Sequence, residues 1–169
     1  AAITSEIGTL ETLEGQALNV EVALSDAEGA KATFFGTDGE GDGFADSAAI
    51  GDAAADAEEF AAGLPEDSEF AEDALLAAAG LRELETQAQG LETDVSDAQI
   101  AHNAFFGAGG AGESYADSAA IGTAISGLET LEGQAQGLET DVSDAQIARD
   151  SFFGAGGAGE GYADSAAIG

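Results

Sequence analysis

The fold is decided by GQAQGLETDVSDAQIARDSFFGAGGAGEGYADSAAIG, residues 133–169, because this stretch occurs three times in the chain. Residues 86–122 repeat it with five differences in 37 positions, and residues 15–51 carry a more diverged copy. Reuse of one supersecondary unit is typical of a repeat array. We therefore divide the chain into four segments: 1–51 (copy 1 with an acidic loop), 52–85 (a helical insertion with a turn at Pro65), 86–132 (copy 2 and a connector) and 133–169 (copy 3).

An apolar track runs through each copy at alternating spacings of three and four residues, which is typical of a helix packed against other helices. Each track ends at Phe-Phe-Gly, and a glycine past the last periodic residue favours a helix stop. The fold class predicted is all-α: an elongated antiparallel helical bundle, or a helical-hairpin repeat array with glycine-rich turns. The predicted helices cover about residues 3–34, 44–62, 66–105 and 115–153.

Four glycines lie inside these predicted helices, where glycine costs about 1 kcal/mol relative to alanine. They are Gly15, Gly90, Gly133 and Gly137. We expect the helices to continue through them, and the close approach of a neighbouring helix would explain why glycine stands there. The alternative is that each helix breaks at the glycine and restarts.

The charge balance is extreme, with 34 Asp and Glu against three Lys and Arg and a net charge of −31. A compact chain with this charge repels itself in dilute buffer, and only a Debye length of roughly 3 Å, near 1 M salt, removes most of that cost. The balance resembles that of proteins from salt-loving archaea and bacteria. We therefore expect a halophilic protein at the cell surface or outside the cell; the alternative is the cytoplasm of a salt-accumulating cell.

The same composition excludes several partners. Nucleic acid and anionic membrane surfaces need a basic face, which three cations cannot make. No apolar run approaches the roughly 20 residues that span a bilayer, so membrane insertion is not expected. Cysteine is absent, which excludes disulfides and thiolate metal sites.

One position holds a basic residue in all three copies, one turn before the helix end, where the helix dipole favours positive charge. The remaining cation, Arg82, is expected on the outer face. We interpret the shared position as half of a charge pair that fixes the register of each hairpin, with the aspartate of ADSAAIG as the other half. The predicted pairs are Lys31, His102 and Arg149 with Asp46, Asp117 and Asp164.

The acidic loop of copy 1 places carboxylates at alternate positions before a glycine, as a calcium loop does. It resembles the aspartate-rich calcium loops of EF-hand, dockerin and thrombospondin type 3 repeats, except that Glu40 replaces Asp or Asn and Ala49 stands where an EF-hand has its bidentate glutamate. The resemblance implies a Ca²⁺ site, and a solvated acidic turn is the alternative. The implied ligands are Asp38, Glu40, Asp42, the Phe44 carbonyl and Asp46.

No set of residues assembles into a catalytic or cofactor-binding site, because one histidine inside a helical track is no triad. We expect no enzyme. The function predicted is that of a structural repeat protein of a halophile, self-assembling into an extracellular filament, stalk or surface layer. The alternatives are a calcium-dependent adhesive or matrix module, and an intracellular helical scaffold in a high-salt cytoplasm.

The two ends of the chain match an internal junction. ADSAAIG continues into TAISGLETLEGQA at residues 116–135, and the N-terminal AAITSEIGTLETLEGQA supplies a similar continuation for Gly169. Either the segment belongs to a longer tandem array, or separate chains associate head to tail. The second interpretation predicts a contact between residues 162–169 of one chain and about 1–14 of the next, which gives a filament unless its rotation closes a ring.

Overall fold

The computed structural model describes residues 2–65 and 68–164, and this part of the chain is all-α. The all-helical fold class is therefore confirmed. The chain forms two compact units, Leu13–Ser118 and Ala1–Thr12 together with Ala119–Gly169. The described helices are α1 (Ala2–Phe35), α2 (Ser47–Ala62), α3 (Glu69–Phe106) and α4 (Ser118–Phe153).

The three long helices end at the second phenylalanine of each Phe-Phe-Gly, within one residue of the predicted ends. However, α2, α3 and α4 each begin three residues later than expected. For α2 the reason is Asp46, whose backbone is extended (φ −162°, ψ 177°) and therefore not part of the helix. Its side chain accepts a hydrogen bond from the Ala49 N–H at 2.9 Å, so Asp46 is the N-cap and α2 begins at the next residue. Aspartate is a preferred N-cap because its side chain satisfies one of the free N–H groups of the first turn.

The helices run without a break through all four interior glycines, so the expected continuity is confirmed. The explanation by close approach of a neighbouring helix is wrong. A Cβ atom added at Gly15, Gly90, Gly133 or Gly137 would meet no atom within 4 Å beyond the helix's own nearby backbone. These glycines face open space and therefore carry a propensity cost without a packing gain.

In the unit Leu13–Ser118, α2 packs along α3 and the C-terminal end of α1 joins them. Phe34, Ile50 and Ala88 are buried at the centre, and Leu84 and Leu91 of α3 pack against them. Two of these three central residues are large, and fully burying each contributes about 1.5–3 kcal/mol. The core is therefore thin and depends on a few side chains contributed by three different helices.

The other unit is built by the first part of α1 and by α4. Ile7 and Leu10 of α1 are buried, as are Ile121 and Ile125 of α4. The hydroxyl of Thr4 donates a hydrogen bond to Glu132 Oε1. The N-terminal segment is thus engaged with α4 of the same chain.

Candidate functional site

The loops that follow the three Phe-Phe pairs share one backbone structure. In copy 1, the Gly41 N–H donates to the Phe34 carbonyl at 2.9 Å, and a Cβ at Gly41 would overlap the ring of Phe34. The equivalent bonds, from Gly112 to Phe105 and from Gly159 to Phe152, are also 2.9 Å. Only glycine fits where the loop backbone lies this close to the aromatic ring.

An acidic side chain closes each loop in the same way. The Asp38 N–H donates to Asp42 Oδ2 at 3.4 Å, with Asp38 in the left-handed region (φ 66°). In the other copies a glutamate takes the place of Asp42: the Gly109 N–H donates to Glu113 Oε2 at 2.8 Å, and that of Gly156 to Glu160 Oε2 at 2.9 Å. The acidic residue at this position therefore has a structural role that does not depend on metal.

Two of the predicted calcium ligands, Asp42 and Asp46, thus already accept hydrogen bonds from backbone N–H groups. Within residues 2–65 and 68–164, no three or more His, Asp or Glu side chains are grouped closely enough to hold a metal ion. Nothing in this geometry tests binding by the five predicted ligands together. The calcium site stays a prediction.

The shared basic position has a different environment in each copy. Lys31 and His102 are half-buried, whereas Arg149 is exposed and its Nη1 lies 3.6 Å from Asp150 Oδ1. The ring of His102 lies 4.9 Å from that of Phe106, and its buried Nδ1 has no hydrogen-bond partner among the described residues. Pairing of these three residues with the aspartates of ADSAAIG stays a prediction.

Arg82 connects two helices, although its side chain is 42% exposed. Its Nε and Nη2 donate to the two carboxylate oxygens of Glu58 on α2, each at 3.1 Å, and its Nη1 donates to Glu85 Oε2 at 2.8 Å. The hydrogen bonds from Arg82 lower the pKa of the Glu58 carboxyl. A planar guanidinium suits this two-point contact, which aligns α2 with α3.

A second polar contact occurs twice, and sequence reasoning missed it. The Ser47 N–H and hydroxyl donate to Glu92 Oε1 and Oε2, at 3.1 and 2.7 Å. The Ser118 N–H donates to Glu21 Oε1 at 2.8 Å, and the Ser118 hydroxyl donates to Glu21 Oε2. We call each of these a serine–glutamate clamp. Both serines are buried and begin a helix, where a free N–H and the helix dipole favour a carboxylate.

The two clamps are reciprocal. Ser47 and Ser118 occupy the same position of copies 1 and 2, and so do Glu21 and Glu92. The serine of copy 1 binds the glutamate of copy 2, and the serine of copy 2 binds the glutamate of copy 1. This exchange requires α1 and the second half of α3 to run in opposite directions. The sequence did contain a signal for this contact, because the serine of ADSAAIG and the glutamate each occupy the same position in copies 1 and 2.

A surface depression of about 520 Å³ lies beside the acidic loop. Phe34 and Leu91 contribute apolar lining, and Asp38 and Glu40 contribute carboxylates. Carboxylates repel phosphates and other anions, so this surface suits contact with apolar or cationic groups.

None of the helices in the described part of the chain is both long and apolar enough to cross a membrane. No protein-family model, no curated protein and no solved structure matches the chain. Its function therefore has to be argued from its own geometry.

Proposed function

We propose that this chain is a structural repeat protein of a halophile that self-assembles into an extracellular filament, stalk or surface layer. The observation that carries the proposal is the reciprocal binding of copies 1 and 2 through the two serine–glutamate clamps. One 37-residue unit here recognises another copy of itself. A unit with this property is suited to building an array of antiparallel helical hairpins.

The charge supports the halophile part of the proposal. A net charge of −31 opposes both folding and the approach of a second chain, and both costs fall as salt screens the charges. Assembly of the protein is therefore favoured in concentrated salt. Screening acts equally in the cytoplasm of a salt-accumulating cell, which is the alternative location.

Head-to-tail association is one route to such an assembly. It would use residues 1–14, yet Ile7 and Leu10 are buried within their own chain and Thr4 binds Glu132. That segment would have to leave this contact within its own chain in order to bind a second chain. The other end of the proposed junction, residues 165–169, lies outside the described residues.

The test is assembly of the purified chain as a function of salt. We expect light scattering and electron microscopy to show particles larger than the 16.6 kDa monomer in about 2 M NaCl and their loss near 0.1 M. A monomer at every salt concentration would contradict the proposal. Addition of millimolar Ca²⁺ or of a chelator, with Mg²⁺ as control, distinguishes the adhesive alternative, which requires that chelation dissolve the particles.

A further inference from the structure

Copies 1 and 2 cover the same face of each other. Phe34, from the end of copy 1, is buried against Ala88 of copy 2, and Leu91 packs on this pair. Ala17, which is the copy 1 counterpart of Ala88, is equally buried at 0% exposure. Both copies thus turn this helix face towards a partner.

Copy 3 has the same face without the cover. Residues 138–148 are identical in sequence to residues 91–101. Leu91 and Val95 are half-buried, whereas their counterparts Leu138 and Val142 are 66% and 64% exposed. Because the sequence is the same, the difference in burial comes from the missing partner.

The exposure is specific to that face. Ile100 of copy 2 is 62% exposed and its counterpart Ile147 is 64% exposed, so this residue is uncovered whether or not a partner copy is present. Phe152 shows the opposite behaviour, with 44% exposure against 8% for Phe34 in copy 1. Copy 3 therefore lacks contacts only where copies 1 and 2 meet.

We propose that copy 3 binds copy 3 of a second molecule of this chain, through the face that copies 1 and 2 use on each other. We call it the third-copy face; its described residues are Leu138, Glu139, Val142, Ala145 and Phe152. The inference rests on the proposed function, in which the unit recognises itself. The contact is isologous, since the same residues lie on both sides, so it joins two chains as a pair; the head-to-tail contact would extend such pairs into a longer assembly.

Glu139 supplies the polar part of this contact. It is the counterpart of Glu21 and Glu92, the two clamp glutamates, and it is exposed. The copy 3 counterpart of Ser47 and Ser118 is Ser165, which lies outside the described residues.

The pairing of copies 1 and 2 also fixes where the two third-copy helices cross. Phe34 packs at Ala88, whose copy 1 counterpart is Ala17. Two antiparallel helices in this register cross midway between Ala17 and Phe34, which is between Ser25 and Asp26. The apolar-track residues on either side of this point are Leu24 and Ala27, whose copy 3 counterparts are Val142 and Ala145. Val142 of one molecule therefore faces Ala145 of the other, close to the two-fold axis.

The first experiment compares Val142→Asp with Ile147→Asp by sedimentation equilibrium in about 2 M NaCl, where the charges are screened. Both residues are exposed apolar residues of copy 3, but only Val142 lies on the third-copy face. We expect the wild type and Ile147→Asp to show at least twice the 16.6 kDa chain mass, and Val142→Asp to show a smaller mass than either. Equal masses for the two variants would overturn the inference.

Two further pairs keep the inference testable if Val142→Asp perturbs the helix. Glu139→Gln should raise the dimer Kd roughly tenfold, because a hydrogen-bonded charge is lost, while Glu129→Gln on the same helix should not. Since the chain has no cysteine, a mixture of the Val142→Cys and Ala145→Cys variants should give a disulfide-linked dimer that contains one chain of each on oxidation. Ser143→Cys should not, because its counterparts Ser25 and Ser96 are exposed in the paired copies.

Failure of the inference and failure of the proposed function have different signatures. A wild-type chain that is monomeric at every salt concentration contradicts both. If the chain associates in salt but each matched pair of variants behaves identically, and Val142→Cys is not cross-linked to Ala145→Cys, self-assembly is retained and pairing through the third-copy face is overturned.

Discussion

Alanine should have opposite effects at two glycines of copy 2. At Gly90 an added Cβ would meet no atom within 4 Å beyond the nearby helix backbone, so Gly90→Ala gains helix propensity without a clash. We expect a stabilisation of about 0.8–1 kcal/mol. At Gly110 the Cβ would overlap the carbonyl oxygens of Ala104 and Phe105. Backbone atoms cannot give way cheaply, so Gly110→Ala should destabilise by about 1–3 kcal/mol.

The assay is thermal unfolding followed by circular dichroism in about 2 M NaCl, with both variants compared with the wild type. For a chain of this size, 1 kcal/mol corresponds to roughly 2–4 °C in Tm. Gly90→Ala should therefore raise Tm by about 2–4 °C, and Gly110→Ala should lower it by at least as much. The two substitutions are chemically identical and lie in one copy, so changes of the same sign would refute the reasoning.

Three further outcomes follow from the charges. Helicity should rise steeply between about 0.1 and 2 M salt, and a chain fully helical in low salt would contradict the halophile argument. In high salt Arg82→Glu should lower Tm more than Arg149→Glu, because Arg82 joins α2 to α3 while Arg149 forms one exposed contact; the reverse order would contradict the assigned role. Arg82 lowers the pKa of Glu58, so this pair stabilises the fold above the ordinary glutamate pKa of about 4.3 and loses its effect as pH falls through the lowered value. The Tm difference between wild type and Glu58→Gln should therefore shrink below about pH 4, and a difference that widens would refute this sign.

The helices could be predicted from the sequence because their signals are local. The apolar track and the Phe-Phe-Gly stops gave the ends of α1, α3 and α4. The starts of α2, α3 and α4 were each placed three residues too early. For α2 and α4 the reason is that the aromatic residue and the two residues after it also fit the helical pattern. An N-cap aspartate such as Asp46 decides the first helical residue, and periodicity alone does not reveal it.

The polar contacts could not be predicted because they join residues far apart in the chain. Glu21 and Ser118 are 97 positions apart, and Glu92 and Ser47 are 45 apart. In a chain with 34 acidic residues, no single glutamate stands out as a partner. Glu21 and Glu92 differ from the other acidic residues only in that they occupy the same position of the repeat. That signal identifies their serine partners only when the two helices are known to be antiparallel. The contact of Arg82 was missed for the same reason, since its partner Glu58 lies on another helix.

The serine–glutamate clamps also explain how one sequence can be buried in one place and exposed in another. Residues 91–101 and 138–148 are identical, so helix propensity, charge and apolar pattern are the same in both. The difference is that copy 2 forms the two reciprocal clamps with copy 1. The sequence of the unit therefore specifies a binding face, but it does not specify which copy binds there. Because the unit binds in pairs, the exposed face of copy 3, with Leu138 and Val142 uncovered, is suited to bind a face of the same kind on a second chain.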